Sequence, residues 1–337
     1  MPSAPAASSE TAPAASKAAP LRGFYGIDDI SVPWTLLAVS IAVIFTAAMC
    51  QWITRVMFAV AEEKAKAPLY LRSTSQILYI FALYNLYKAA LHLFGSLSTK
   101  KTQALEIVDR LKASGVLVKP GCQILDVGTG RGLLACALAR EFQQLDQEPG
   151  SDPASELDVN VKGKRRQAGE AQSTEAPSIR RVVGIDTWDT KDLSHQGGEK
   201  AVFRNALKEG IADPSRFISI QTQDGRNTDF ESGQFDAVVS SLTVHCFSEK
   251  YVGPGSSQGG ASSESAAEAR LQRDYGLQEM VRVARPGGTI MVWDIAHCDE
   301  YEEYLANHKD IDSCQSQEAG TLFGTTAHLI IATKKAK

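Results

Sequence analysis

One stretch of this sequence decides its fold: Gln123-Ile124-Leu125-Asp126-Val127-Gly128-Thr129-Gly130-Arg131-Gly132-Leu133-Leu134. The apolar residues Ile124, Leu125 and Val127 predict a short buried strand, and apolar residues at helical spacing over 133–139 predict a helix after it. Between them, three glycines at alternate positions let the backbone turn sharply and approach a ligand closely. The unpaired N–H groups at the start of the helix would face whatever occupies the turn.

The glycine turn alone has more than one interpretation. It could be a purely structural turn, a dinucleotide-binding fingerprint or the nucleoside-binding turn of another family. The dinucleotide fingerprint has the spacing G-x-G-x-x-G, and here the third glycine, Gly132, comes one position early. The rest of the chain has to decide between the three.

Composition limits the classes of function. The 337 residues allow one large domain or two modest ones. A charged fraction of 22% and a net charge of −4 argue against a protein that binds nucleic acid through phosphate contacts. The six cysteines form no C-x-x-C pair and no zinc-like cluster, so we expect reduced thiols and no metal site.

The N-terminal third predicts a tail followed by a membrane anchor. Residues 1–30 begin with an Ala-, Ser- and Pro-rich segment and are predicted to be a disordered tail. Residues 31–97 are the predicted anchor. Ser31 to Thr54 contain no charged residue, and about 20 apolar residues are enough to span a bilayer. Trp34 and Trp52 lie near the two ends of this run, where membrane interfaces favour tryptophan.

A second apolar run, 73–94, carries Lys88. A charge inside a span costs roughly 2.5–3.5 kcal/mol unless its side chain reaches an interface. The run is therefore either a second span or an amphipathic helix in the headgroup region. We favour two spans, although the flanking basic residues do not define an orientation.

Residues 98–337 form the predicted catalytic domain, interrupted by disordered insertions near 143–178 and 252–267. The second strand ends at Asp186, which lies 56 residues after Gly130. In α/β nucleotide sites, a carboxylate about 20 residues after the glycines binds the ribose hydroxyls. Without the first insertion the spacing returns to about 20. This spacing predicts that the first two strands are neighbours.

The later segments continue to alternate strands and helices. The third strand is followed by Asp224 and Gly225, where the aspartate is either an adenine acceptor or simply a turn residue. The fourth strand, over 235–241, is followed by His245. Two antiparallel strands are expected near 311–316 and 327–333. This order predicts an α/β, Rossmann-like, seven-stranded, mostly parallel sheet with helices on both faces, preceded by one or two transmembrane helices.

These motifs together resemble the class I S-adenosylmethionine-dependent methyltransferases, from about residue 99 to the end. The matching segments are 126–132, the acids that end the second strand and follow the third, the fourth strand and the Arg-Pro-Gly-Gly turn at 285–288. The finer resemblance is to the methyltransferase type 11 / ubiquinone-biosynthesis-like group. Small membrane-anchored members of that group share the start Tyr25-Gly26-Ile27-Asp28.

The resemblance implies S-adenosyl-L-methionine as the cofactor. It places Gly128 and Gly130 beneath the methionine part, Asp186 at the ribose, and Asp224 and Gly225 beside adenine. The full implied cofactor set is Asp126, Gly128, Thr129, Gly130, Gly132, Asp186, Thr187, Asp224, Gly225 and Ser240. The two insertions depart from the family pattern at the edge where substrate binds, so the acceptor could be a small molecule or a lipid.

Methyl transfer from a sulfonium needs mainly positioning of the reactants. A base is needed only when the acceptor must lose a proton, and His245 is the candidate because a neutral imidazole can accept a proton at pH 7. A nucleophilic pair with Cys246 is disfavoured, since adjacent residues on an extended segment point in opposite directions.

The sequence therefore predicts a membrane-anchored methyltransferase whose catalytic domain faces the cytosol, where the cofactor is made. Its expected partners are a small-molecule or lipid substrate and the membrane, without nucleic acid. The alternative is a catalytically inactive scaffold that binds partners through its loops. An NAD-dependent oxidoreductase is disfavoured by the glycine spacing.

Overall fold

The computed structural model describes residues 19–25, 31–60, 67–147, 179–188, 198–247 and 266–336. Several predictions made from the sequence lie outside these residues. They concern most of the N-terminal tail, the Gly26-Ile27-Asp28 motif, and the parts of the two insertions at 148–178 and 252–265.

A seven-stranded sheet has the order β3-β2-β1-β4-β5-β7-β6. β7 alone runs against its neighbours, and β1 pairs in parallel with both β2 and β4. The chain order reverses between β1 and β4, and ligands bind at such switch points in open α/β sheets. The predicted sheet, including the pairing of the first two strands, is confirmed. The strands are β1 Gln123–Val127, β2 Arg181–Asp186, β3 Ile218–Thr222, β4 Phe235–Ser241, β5 Ala284–Asp294, β6 Ile311–Leu322 and β7 Thr325–Lys334.

Helices cover both faces of the sheet, as the sequence predicts. One buried cluster joins α3, α4 and α5 to residues such as Ile124, and the other joins α7 and α8 to residues such as Leu125. The side chains of adjacent strand residues thus pack into the core layers on opposite faces of the sheet. The helices of this domain are α3 Lys100–Ala113, α4 Leu133–Gln147, α5 Gly198–Lys208, α6 Pro214–Phe217, α7 Ala266–Val283 and α8 Cys298–Asn307.

The predicted limits of both insertions are wrong at one end. Residues 143–147 belong to α4 because Leu145 packs in the core and Asp146 forms ion pairs with Arg180 and Arg216. The second insertion ends two residues earlier than predicted, since α7 begins at Ala266. The polar sequence after residue 142 concealed the end of α4, which is stabilised by residues distant in sequence.

Two long helices, α1 Ser31–Val60 and α2 Ala67–Phe94, pack against each other as a hairpin. Their shared seam consists of small or short side chains that recur at every seventh position. The Ser40 hydroxyl lies 3.3 Å from the carbonyl oxygen of Ala82 on the other helix. Small residues at this spacing allow two helix backbones to approach closely along one line. The buried small or short side chains at this spacing are Ser40, Ala47 and Thr54 on α1, and Ser75, Ala82 and Ala89 on α2. Pro33 on α1 and Asn85 and His92 on α2 are buried as well.

The large apolar side chains of this hairpin point outward. Trp34, Phe45 and Trp52 on α1, and Ile77 and Ile80 on α2, are exposed. By length and composition, two helical segments could cross a membrane, and they are Val32–Val56 and Ser73–Ala113. The second segment is this long because α2 continues through a π-helical turn, Gly95–Thr99, into α3.

Residues 19–25, which precede the hairpin, dock on the α/β domain, and we call them the N-terminal strap. The carboxylate of Glu209, just after α5, accepts hydrogen bonds from the amides of Arg22 (2.8 Å) and Gly23 (2.6 Å). The same oxygen accepts one from the hydroxyl of Tyr25 at 2.7 Å. Because these donors are mostly buried, the strap is an integral part of the domain.

Candidate functional site

The carboxylate of Asp186 abuts the glycine turn. Its Oδ2 accepts a hydrogen bond from the amide of Gly130 at 2.9 Å, and its Oδ1 accepts one from the amide of Trp188 at 2.9 Å. Thr187, between them, is exposed. The expected neighbourhood of Gly130 and Asp186 is therefore present, although the two residues are separated by the first insertion.

Each of the three glycines in the turn has a positive φ, namely 72° at Gly128, 51° at Gly130 and 82° at Gly132. A Cβ on Gly132 would lie 2.6 Å from a methyl group of Val202, and one on Gly128 would lie 2.1 Å from the Oγ1 atom of Thr243. Both the backbone conformation and the close packing thus require glycine here.

We expect Gly128→Ala to destabilise the protein by several kcal/mol. A left-handed residue costs about 1–2 kcal/mol, and overpacking adds about 1–3 kcal/mol. Thermal unfolding of the full-length protein in detergent measures the sum. Gly115→Ala is the matched control, because Gly115 has φ 76° and no atom of the described segments lies within 4 Å of the position that its Cβ would take. A Gly128→Ala loss no larger than that of Gly115→Ala would contradict the steric account, whereas the double variant with Thr243→Gly should recover part of it.

Three residues of the implied cofactor set lie beneath the turn and bond to the protein itself. The Thr129 hydroxyl donates to Asp126 Oδ2 at 2.8 Å, and the Ser240 hydroxyl donates to the carbonyl of Val127 at 3.1 Å. Burial raises the pKa of Asp126 to about 7, although hydrogen bonds from Thr129 and the Ala135 amide oppose the shift. The hydrogen bonds of Asp126, Thr129 and Ser240 therefore fix the conformation of the glycine turn.

Asp224 is held by its own loop. Its Oδ1 accepts from the amide and Nε of Arg226, each at 2.9 Å, and its Oδ2 lies 2.6 Å from Nη2 of the same residue. Arg226 also donates to Gln272 on α7 and lies over the Phe247 ring. Gly225 packs closely against the Val127 side chain and the ring of Phe247. These contacts are those of a residue that stabilises its own turn, which is one of the two roles considered for Asp224.

His245 lies in a short 3₁₀ turn after β4 and is paired with Asp294, the last residue of β5. Its Nδ1 lies 2.6 Å from Asp294 Oδ1, and its amide donates to Oδ2 at 3.2 Å. Burial lowers the pKa of His245. The hydrogen bonds and charges of Asp294 and Cys246 raise it by more, so the resulting pKa is about 10. A pKa above 7 favours the imidazolium form at pH 7, whereas the role of a base, for which His245 is the candidate, requires the neutral ring.

Sequence reasoning missed three contributors to this region. Thr243 covers Gly128, Trp188 donates to Asp186, and Asp294 orients His245. A signal for Asp294 was present, because a carboxylate at the end of a parallel strand lies on the edge where ligands bind. Nothing in the sequence pattern pointed to Thr243 or Trp188.

Arg131, in the glycine turn, connects this region to the N-terminal strap. Its guanidinium lies 5.1 Å from the ring centre of Phe24, and its Nε is buried with no hydrogen-bond partner among the described residues. The side-chain amide of Asn205 donates to the carbonyls of both Phe24 and Arg131 at 3.0 Å. Burial lowers the pKa of Arg131, and the nearby charge of Arg204 lowers it further. A negative group placed here would stabilise both cations.

No family model and no curated protein matches this chain. Solved structures with a similar arrangement include a SAM-dependent methyltransferase from Aquifex aeolicus, with 14% identity, 73% of this chain and 98% of that chain covered, and a TM-score of 0.41. An O-methyltransferase family protein from Burkholderia thailandensis has 11% identity, coverages of 87% and 72%, and a TM-score of 0.40. The [4+2]-cyclase SpnF has 13% identity, coverages of 70% and 83%, and a TM-score of 0.41. TM-scores below 0.5 carry no argument about function, which has to be inferred from the residues of the site.

Proposed function

We propose that this protein is an S-adenosyl-L-methionine-dependent methyltransferase. The observation that carries the proposal is the 2.9 Å hydrogen bond between the Gly130 amide and Asp186, which joins the turn after β1 to the end of β2. The reversal of strand order, between β1 and β4, lies on the other side of β1. A glycine turn at the start of a helix and a carboxylate at the end of the next strand are the two parts that an α/β nucleoside site needs.

The residues present fit this cofactor. Gly128 and Gly130 would pass beneath its methionine part. The carboxylate of Asp186 is buried beside the turn, and the lone pairs that its two amide hydrogen bonds leave would accept hydrogen bonds from the ribose hydroxyls. The Nε of Arg131, which has no hydrogen-bond partner in the described part of the chain, suits a carboxylate such as that of the methionine part. When bound, the cofactor would supply a methyl group that its sulfonium already activates.

His245 would act on the acceptor through its charge state. An imidazolium paired with Asp294 can donate a hydrogen bond to an acceptor oxygen or stabilise its anion. It can serve as a base only after it loses a proton, which its raised pKa opposes. His245 as a catalytic residue therefore stays a prediction, with positioning of the acceptor as its primary task.

We further propose that α1 and α2 anchor the enzyme in a membrane. Their outward-facing large apolar residues and small-residue seam are the distribution found where lipid replaces water as the solvent. Residues 31–97 are the proposed anchor, residues 98–337 the proposed catalytic domain, and the acceptor a small molecule or a lipid. The domain would face the cytosol, where the cofactor is made.

Full-length protein in detergent should bind S-adenosylhomocysteine in a calorimetric titration and show no heat with NAD. A radiolabelled methyl donor, incubated with separated lipid, protein and small-molecule pools, then identifies the acceptor class. A folded protein that binds neither S-adenosylhomocysteine nor S-adenosylmethionine would refute the proposed activity.

A catalytically inactive scaffold is the second candidate, and the Asp224–Arg226 ion pair favours it. A carboxylate that already accepts three hydrogen bonds has less capacity left for an adenine amino group. Cofactor binding without methyl transfer to any pool would support the scaffold. Methyl transfer by the unaltered protein that Arg226→Ala leaves unchanged would show that the pair is no obstacle.

A further inference from the structure

The start of α1 and the end of α2 are both connected to the α/β domain by short segments of chain. On the N-terminal side, Tyr25 is docked at Glu209, and only residues 26–30 separate it from Ser31. Such a connection spans at most about 20 Å. On the other side, α2 runs through the π-helical turn into α3, whose Ile107 and Leu111 are fully buried in the domain core. The start of α1 and the end of α2 therefore lie on the same side of the hairpin.

The composition of the hairpin fits hydrocarbon rather than water. A water-soluble helical pair buries its large apolar residues in the seam, whereas this pair buries Ser40 and Ala82 and exposes Trp34 and Phe45. The 25 residues Val32–Val56 form a helix about 37 Å long, which exceeds a hydrocarbon core of about 30 Å. A helix lying in the headgroup plane needs a charged face, and Ser31 to Thr54 offer no charge.

The β6–β7 turn contacts the domain-side end of α2. The rings of His92 and Phe323 stack with centroids 4.3 Å apart. The Nζ of Lys88 lies 3.2 Å from the position that a Cβ on Gly324 would take, so its charge lies against the domain. About 21 residues of α2, from Ala67, precede it and can cross about 30 Å. Arg72 lies near the outer end of this stretch, and arginine near a helix end is tolerated because such long side chains reach the interface.

This contact orients the sheet. Asp294, at the carboxyl end of β5, pairs with His328, so the turn at Phe323 lies beyond that end of the strand. The glycine turn and His245 follow strands parallel to β5 and lie on the same edge. The site-bearing edge is therefore the edge that approaches α2.

From these observations, we propose that α1 and α2 cross the bilayer as a two-span hairpin, with the N-terminal strap and the α/β domain on one face and the site-bearing edge turned toward the membrane. The hairpin would be clamped to the domain at both ends. The proposal rests on the membrane anchor proposed above and is independent of the reaction that the domain performs.

Single cysteines introduced into the full-length protein test the number of crossings, in a Cys246→Ser background that removes the exposed thiol. Ser9→Cys reports on the N-terminal tail, Asp312→Cys on the domain and Glu63→Cys on the connection between α1 and α2. Sealed membrane vesicles are treated with an impermeant maleimide before and after permeabilisation. We expect Ser9→Cys and Asp312→Cys to react under the same condition and Glu63→Cys under the opposite one.

Two other labelling results would overturn the proposal. Tail and domain cysteines on opposite sides would mean a single crossing, and all three on one side would mean no crossing. S-adenosylhomocysteine binding by the same preparations keeps the questions separate: failure to bind counts against the methyltransferase, whereas the labelling pattern counts only for or against the topology.

The orientation of the sheet needs a second measurement. Thr326→Cys, beside the β6–β7 turn, and Glu231→Cys, before β4, place a fluorophore on exposed positions at opposite edges of the sheet. In vesicles with headgroup-quencher lipids, we expect strong quenching at the first position and several-fold weaker quenching at the second. Equal quenching, or the reverse order, would refute a membrane-facing site edge.

Discussion

Asp186→Ala should weaken the binding of S-adenosylhomocysteine by at least 100-fold. The substitution removes the acceptor of the Gly130 and Trp188 amides. The glycine turn then loses one of its links to β2, although the amides of Gly128 and Thr129 still donate to the carbonyl of Ile185. It also removes the carboxylate proposed to bind the ribose. Hydrogen bonds to a charged group contribute about 1.5–3 kcal/mol each, and every 1.4 kcal/mol changes the dissociation constant tenfold. Calorimetry on the full-length protein in detergent measures the loss.

Two further variants separate binding from general damage. Asp312→Ala removes an exposed carboxylate from β6, the far edge strand, and should leave the affinity unchanged. Asp186→Asn preserves the shape and one acceptor, and should retain an intermediate affinity. If Asp186→Ala binds as tightly as the unaltered protein while remaining folded, then the carboxylate does not contact the cofactor and the proposed site is incorrect.

The sheet was predictable because its signals are local. Short apolar runs bounded by glycine or aspartate identified β1, β2, β4 and β5, and the 56-residue separation of Gly130 and Asp186 identified the first insertion. The limits of that insertion were not predictable. The last turn of α4 reads as polar, and only its contacts with residues distant in sequence show that it is helical.

The site was only partly predictable, for a related reason. The glycines and Asp186 occupy positions that the motif spacing defines. In contrast, the roles of Asp126 and Ser240 depend on which groups their side chains reach, and both reach groups beneath the turn. The N-terminal strap was missed altogether, because its buried contacts join Tyr25 to Glu209 across 184 residues.

Asp294→Ala should cost the protein about 3 kcal/mol of stability. Asp294 is fully buried and accepts hydrogen bonds from the amides of His245 and Ile295 and from the imidazole. Removing one partner of a buried ion pair leaves the other charge uncompensated, which costs about 3–5 kcal/mol. The lower end applies because His245 is partly exposed. In a domain of this size, each kcal/mol lowers the melting temperature by about 2–4 °C, so a fall of about 6–12 °C is expected.

The pH dependence of this loss distinguishes an ion pair from simple packing. The pKa of His245 is about 10 in the folded protein and 6.5 ordinarily, so its folded state binds the proton more tightly. The stabilisation is therefore complete below pH 6.5 and disappears as the pH rises through about 10. The isosteric Asp294→Asn removes the charge with little change in volume, and His245→Gln removes the titrating group. Differences in melting temperature between the unaltered protein and either variant should be greatest at pH 6 and much smaller at pH 10.5. What remains at pH 10.5 in Asp294→Asn is the pH-independent change in the hydrogen bonds from the two backbone amides. A difference that stays constant over this range would mean that His245 is neutral in the folded protein. The neutral imidazole could then accept a proton from the methyl acceptor.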